Sequence, residues 1–166
     1  MKKEKLLNLS YKEKLKLIRA GKHLDVFVDD EDWRVRSAVA KQGYGLEQLI
    51  DDKDWEVRAT LAKQGYGLDK LVNDVDGLVR YEVAKQGYRL DKLVNDESSI
   101  VRKVVAKQGY GLEKLIDDTS WAVRYEVANQ GYGLEKLVDD EDDDVREVAI
   151  EKVLEIFKEH TEKYYK

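Results

Sequence analysis

The chain is expected to be all-α, a superhelical solenoid of 22-residue repeats with a helical cap at each end. Each repeat should pair one α-helix with a single further turn of α or 3₁₀ helix. Three observations carry this. The string Val-Ala-Lys-Gln-Gly-Tyr-Gly-Leu starting at Val39 returns almost letter for letter at Leu61, Val83, Val105 and Val127. The glycines Gly43, Gly65, Gly87, Gly109 and Gly131 keep the same interval. Proline is absent and no Gly/Ser-rich linker interrupts the 166 residues, so one continuous body is expected over 1–166. A fixed period of this size marks stacked units, each burying its apolar side against its neighbours.

Residues 1–28 read as an N-terminal cap and half repeat. Ser10 and Glu13 form a capping-box pattern for a helix through Arg19. Gly21, Leu24, Phe27 and Val28 then align with Gly43, Leu46, Leu49 and Ile50.

Residues 29–138 hold five repeats, beginning at Asp29, Asp51, Asn73, Asn95 and Asp117. In the first, Asp32 is placed to cap a helix and Gly43 to end it. At about 100° per residue, Val35, Arg36, Val39 and Ala40 share one side and Arg34, Ser37 and Lys41 the other, with Trp33 and Ala38 on the borders. After Gly43-Tyr44-Gly45, Leu46, Leu49 and Ile50 supply a second apolar cluster, enough for one helical turn. Residues 139–166 open a sixth copy that loses the Gly-Tyr-Gly turn. They continue as one helix, roughly Val145 to Tyr164, whose polar side is expected to close the stack.

The order Asp-Asp-x-Asp-Trp-x-Val-Arg-x-x-Val-Ala, a turn, then Leu-Glu-x-Leu-Ile-Asp-Asp resembles the leucine-rich repeat variant family and the broader HEAT-like group over about residues 29–146. The resemblance implies α-helices alternating with short 3₁₀ helices in a right-handed superhelix. This chain departs from the family in using Gln-Gly-Tyr-Gly where the family turn carries proline. It also has no cysteine for the iron–sulfur segment that some members hold.

Composition narrows the functions. Charged residues are 39% and hydrophobic residues 42%, the balance of a soluble helical protein. The lack of cysteine excludes disulfides, thiolate metal sites and thiol catalysis. No apolar run is long enough for a membrane span and no secretory leader is evident, so a cytoplasmic protein is expected. The net charge of -5 argues against a general nucleic-acid or anionic-membrane binder. Residues 1–28 carry eight basic and three acidic side chains, and residues 139–166 five and eleven. A monomer is expected, with weak head-to-tail association open to it.

No catalytic constellation stands out. His23 and His160 are the only histidines and lie near opposite ends of the sequence; no Ser-His-acid set or phosphate-cradling loop accompanies them. No cofactor is implied. Asp140, Asp142, Asp144 and Glu151 match four calcium-loop spacings, but Val145 stands where that loop needs glycine, so helix capping explains the acids better and no metal is expected. Six residues after each second acid stands an arginine, from Asp30 and Arg36 to Asp140 and Arg146. Recurrence in every copy points to a structural ladder, since an active site is made once. The tyrosines from Tyr44 to Tyr132 read as turn packing with wet hydroxyls.

The copies differ at exposed positions. Leu78, Tyr81, Ile100, Val104 and Tyr125 place apolar and aromatic groups where a helix should face water, rimmed by Lys85, Lys103 and Arg89. Leu78, Tyr81, Lys85, Ile100, Lys103, Val104 and Tyr125 are therefore the candidate contacts of a non-enzymatic interaction module for a protein partner. The alternative is a polyanion surface on the lysine row Lys41, Lys63, Lys85 and Lys107. A third reading, suggested by the near-identity of the copies, is a consensus-like or engineered repeat with no evolved partner.

Overall fold

The computed structural model describes residues 3–164. The chain forms two compact units, one ending at Tyr88 and the other beginning at Arg89. Helices are the only regular structure among the described residues.

The first unit contains α1 (Lys3–Leu7), α2 (Tyr11–Arg19), α3 (Leu24–Phe27), α4 (Trp33–Ala40), α5 (Leu46–Leu49), α6 (Trp55–Lys63), α7 (Leu68–Leu71) and α8 (Gly77–Lys85). Its longer helices pack in chain order, α2 on α4, α4 on α6 and α6 on α8, and each short helix packs on the longer helices flanking it in sequence. The second unit repeats this arrangement with α9 (Leu90–Leu93), α10 (Ser99–Lys107), α11 (Leu112–Leu115), α12 (Trp121–Asn129), α13 (Leu134–Leu137) and α14 (Asp143–Tyr164).

Valines and alanines build the core. Val35, Val39, Ala40, Val57, Leu61, Ala62, Val79, Val83 and Ala84 are buried in the first unit, as are Val101, Val105, Ala106, Val123, Val127 and Ala128 in the second. Leu49, Leu71, Leu93, Leu115 and Leu137 fill the space under the short helices. Each buried valine or leucine contributes about 1.5–3 kcal/mol relative to exposure. The short segments are α turns, with Leu49 N–H bonded to Gly45 O at 2.9 Å and Ile50 N–H to Leu46 O at 3.0 Å. The 3₁₀ helices implied by the family resemblance are thus replaced by one turn of α-helix.

The helix ends follow the sequence closely. Ser10 and Glu13 make a complete capping box, Ser10 N–H donating to Glu13 Oε2 at 2.9 Å. Asp32 accepts the N–H of Arg34 at 2.9 Å. At the far end of α6, Gly65 N–H bonds to Ala62 O and Tyr66 N–H reaches back to Leu61 O at 3.0 Å, a six-to-one closure that requires a left-handed residue. Glycine supplies it. In the turn after α4, Gly43 and Gly45 both have positive φ, but a Cβ on Gly43 would meet open space whereas one on Gly45 would lie 2.5 Å from Val28 Cγ2. The second glycine therefore admits the previous short helix as well as the turn.

The arginine ladder is the main polar feature. Arg58 Nε and Nη2 donate to both oxygens of Asp74 at 2.6 and 2.8 Å, and its Nη1 donates to Asp52 O at 2.7 Å. Arg36 treats Asp52 and Asp30 O in the same way, Arg102 treats Asp118 and Asp96 O, and Arg124 treats Asp140 and Asp118 O. Each aspartate also accepts the N–H two residues on, as Asp74 does from Asp76 at 2.9 Å. At the start of the series Lys14 takes the arginine's place, its Nζ 2.6 Å from Asp30. Burial acts most strongly on Asp52, Asp74 and Asp118 and works to raise them. Their arginine partners and the turn N–H bonds outweigh it, so all three carboxyls stay below the ordinary value. Asp140 is also held down, chiefly by Arg124.

Two outcomes are expected. Gly43→Ala should cost about 1–2 kcal/mol, the left-handed penalty alone. Gly45→Ala adds an overpacking cost of about 1–3 kcal/mol because the β-branched Val28 cannot swing aside. Equal midpoints for the two in urea unfolding would contradict this account of the turn. Carboxyls that bind protons less readily folded than unfolded contribute fully above about pH 4 and lose that contribution as pH falls further. Thermal melting should therefore drop steeply below that pH. Asp74→Asn should lower stability at pH 7 by about 3 kcal/mol, through the stranded Arg58, and flatten the acid limb. Parallel parent and variant curves would remove the ladder from the acid response.

Candidate functional site

Face by face, the structure sorts the residues singled out in the sequence. In the first unit, Leu78 is 40% exposed on α8, and Tyr81 is half-buried with Lys85 Nζ 5.3 Å from its ring centroid. Lys85 also pairs with Glu82 at 3.1 Å, which raises its pKa. In the second unit, Ile100 is 51% exposed on α10, and Lys103 and Tyr125 are half-buried.

Val104 is a correction. It was expected to face a partner, yet it is only 9% exposed and belongs to the core. The reason lies in how successive long helices meet. Positions equivalent to Ser37 face positions equivalent to Thr60 on the next helix. Ser37 Oγ lies 2.8 Å from Thr60 Oγ1, and Lys103 Nζ lies 3.6 Å from Glu126, whose carboxylate is buried. This side of the helix is a seam between neighbours, and a residue there is covered whenever its neighbour is long enough to reach it.

The lysine row stands exposed at helix C-termini. Lys41 is the C-cap of α4, and Lys63, Lys85 and Lys107 end α6, α8 and α10. There each charge complements the negative end of its own helix dipole, a structural reason for recurrence that needs no ligand. The backbone carbonyls of Lys63 and Lys107 also accept from the side chains of Gln86 and Gln130 at 3.2 Å.

A concave surface with a distinctive chemistry lies wholly in the second unit, across α10, α12 and α14. It is a cleft of about 470 Å³ lined by Lys103, Trp121, Tyr125, Asp144, Glu147, Val148 and Glu151. Trp121 is 47% exposed. Positions at the start of α12 and on its seam aim Trp121 and Tyr125, one turn apart, into the cleft. The first turns of α14 add the acids on the other wall. Among the described residues Asp144, Glu147 and Glu151 have no ion-pair partner within the chain, while the only cation of the lining, Lys103, is already engaged by Glu126. The cleft therefore offers aromatic surface beneath an excess of negative charge.

Sequence reasoning found Lys103 and Tyr125 but missed Trp121, Glu147 and Glu151. Tryptophan at that position recurs as Trp33 and Trp55 and reads as ordinary repeat consensus, Glu151 falls among the acids assigned to helix capping, and Glu147 carries no signal of its own. Part of the acid run is indeed a cap: Asp142 Oδ1 accepts Asp144 N–H at 3.1 Å and Asp140 binds Arg124. The overlooked signal is that the seam position facing Tyr125 is occupied by Val148, a short side chain beside an exposed tryptophan. Among the described residues, no group of three or more His, Asp or Glu stands in an arrangement that could hold a metal ion, and no helix is long and apolar enough to cross a membrane.

Comparison with family models, with curated proteins and with solved structures finds no match for this chain.

Proposed function

We propose that the protein is a non-enzymatic interaction module, a helical-repeat solenoid of the leucine-rich repeat variant or HEAT-like kind that holds one protein partner. The observation that carries the reading is the cleft of the second unit. Its aromatic floor of Trp121 and Tyr125 lies beneath three carboxylates that have no partner within the chain, Asp144, Glu147 and Glu151, among the described residues. Such a surface suits a segment presenting a lysine or arginine. The cation rests over an aromatic face and pairs with the acids, and its alkyl stem covers Val148. Ile100 on α10 is a further contact of the same unit in this reading, and Leu78, Tyr81 and Lys85 on α8 are a separate candidate surface of the first unit. Aromatic anchors with a charged rim have the make-up of an interface centre. The ladder arginines have structural partners already and need no substrate. The lysine row is explained by helix ends, so a polyanion ligand is the weaker reading.

The test is affinity capture from lysate, nuclease-treated and untreated, with the parent and a Trp121→Ala/Tyr125→Ala variant. The parent is expected to retain the same polypeptide in both lysates and the variant to lose it, at least tenfold in affinity. Melting should fall somewhat, since Trp121 and Tyr125 are each about half-buried, with helix content retained, and capture is compared at a temperature where both proteins are folded. A Glu147→Lys/Glu151→Lys variant should fail as well, by repelling the partner's cation. Capture abolished by nuclease would transfer the function to the lysine row. Capture indifferent to both variants would remove the cleft from it.

A further inference from the structure

The last helix has two apolar faces, and its own chain covers only one. Val145, Val148 and Ala149 are buried, and α14 packs on α12 and α13. About 140° around the helix, Ile150, Val153, Leu154 and Phe157 fall within one sector. They are 47%, 42%, 62% and 66% exposed; Ile156, 55% exposed, lies instead in line with the buried Val145 and Ala149, beyond the neighbours that cover them. This corrects the sequence expectation that the outward side of the final helix would be polar. The steps from Ile150 to Leu154 to Phe157 to Thr161 run four, three, four, the spacing of a coiled-coil seam. Exposed apolar surface of this kind, continuous over several hundred Å², marks a contact site.

The charges beside the stripe indicate what covers it. Glu151 and Lys158 lie on the same margin, seven residues and about 10 Å apart along the axis. That is too far for them to pair with each other, and neither has an ion-pair partner among the described residues. The charges next to them are engaged elsewhere, Lys152 with Glu155 at 2.8 Å. Suppose a second copy is laid antiparallel, Leu154 of one against Phe157 of the other. Glu151 of each copy then lies opposite Lys158 of its mate, twice by symmetry. The opposite margin carries Val153 and no acid beside the stripe. A parallel pair would set Lys158 against Val153 and leave it without an acid.

We propose that two copies of this chain pair through α14 as an antiparallel two-helix seam built on Ile150, Leu154 and Phe157, with reciprocal Glu151–Lys158 ion pairs. The exposed parts of the four apolar side chains of the stripe come to roughly 400 Å² per copy, about 800 Å² for the pair, the size of a weak, transient contact. The pair is therefore expected to be weak and to form only as concentration rises. The contact is isologous and closes on itself, in contrast to open-ended head-to-tail association.

Sedimentation equilibrium over a concentration series tests it. The parent is expected to move from monomer to dimer with rising concentration. Leu154→Asp/Phe157→Asp is expected to stay monomeric with unchanged helix content and melting, because both positions face solvent within one chain. Lys158→Glu should weaken dimerisation about tenfold, and adding Glu151→Lys to it should restore most of the loss. Lys158, Leu154 and Phe157 do not line the cleft, so capture with variants at those positions is read independently of the result; Glu151 does line it, so the charge swap is read by sedimentation alone. A parent that remains monomeric up to about 0.5 mM overturns the proposal. So does a dimer that survives Leu154→Asp/Phe157→Asp, and a charge swap that fails to restore pairing overturns the antiparallel arrangement.

Discussion

The arrangement rests on one recurring interaction, the guanidinium that ties its own loop to the next. Valine and alanine packing supplies most of the energy of each unit, but apolar contact has no direction, and near-identical helices offer near-identical surfaces. A guanidinium with five fixed donors does have direction. Arg58 holds the carbonyl of Asp52 with one nitrogen and both oxygens of Asp74 with two others. Two loops 22 residues apart are thereby set at one separation and one angle. The aspartate is fixed in turn by the N–H of the residue two further on. With charge and hydrogen bonds both satisfied, these groups tolerate burial that would otherwise be prohibitive. Among the described residues no buried side-chain polar atom lacks a partner.

The repeating elements were almost wholly legible in the sequence, and for a definite reason. Each helix carries its own start and stop signals. Asp32 and Ser10 cap as their types predict, and Gly65 ends α6 where only a left-handed residue allows the Tyr66 to Leu61 closure. The ladder was legible because the spacing of Asp74 and Arg80 recurs in every copy, and Arg80 does donate to Asp74 O at 2.6 Å. One copy cannot distinguish a structural charge from a functional one; six can.

The surfaces were less legible. Helix periodicity assigns a side chain to a direction, but whether that direction is covered depends on the residue opposite. Ser37 was read as exposed from its angle alone, yet it lies on the seam, where the next helix contributes its own row, and Val104, read the same way, belongs to the core. The converse error concerns Trp121, whose place in the repeat suggests packing but which stands half exposed beside short Val148. In α14 the rule shifts again. The first turns follow the pattern of the earlier helices, and after Ala149 the short helix that would normally follow is missing. A single uninterrupted helix then carries its apolar residues beyond the neighbours able to bury them.

The order of contacts also bears on how the protein forms. In each unit a long helix packs on the long helices next along the chain, so the partners of any residue lie about one repeat away in sequence. The loop closed by such a contact is short, and the conformational entropy lost in closing it is correspondingly modest. Chains of this contact order acquire structure quickly, by adding each helix to one already formed. The same property distributes protection unevenly. Amides of α6, packed on both sides by α4 and α8, are expected to exchange with solvent only through opening of most of the unit, whereas those of α1, which packs on α3, are expected to exchange through local fraying. Hydrogen exchange along this chain is therefore set by the number of packed neighbours, with the slowest amides in the middle of a unit and the fastest at its free edges.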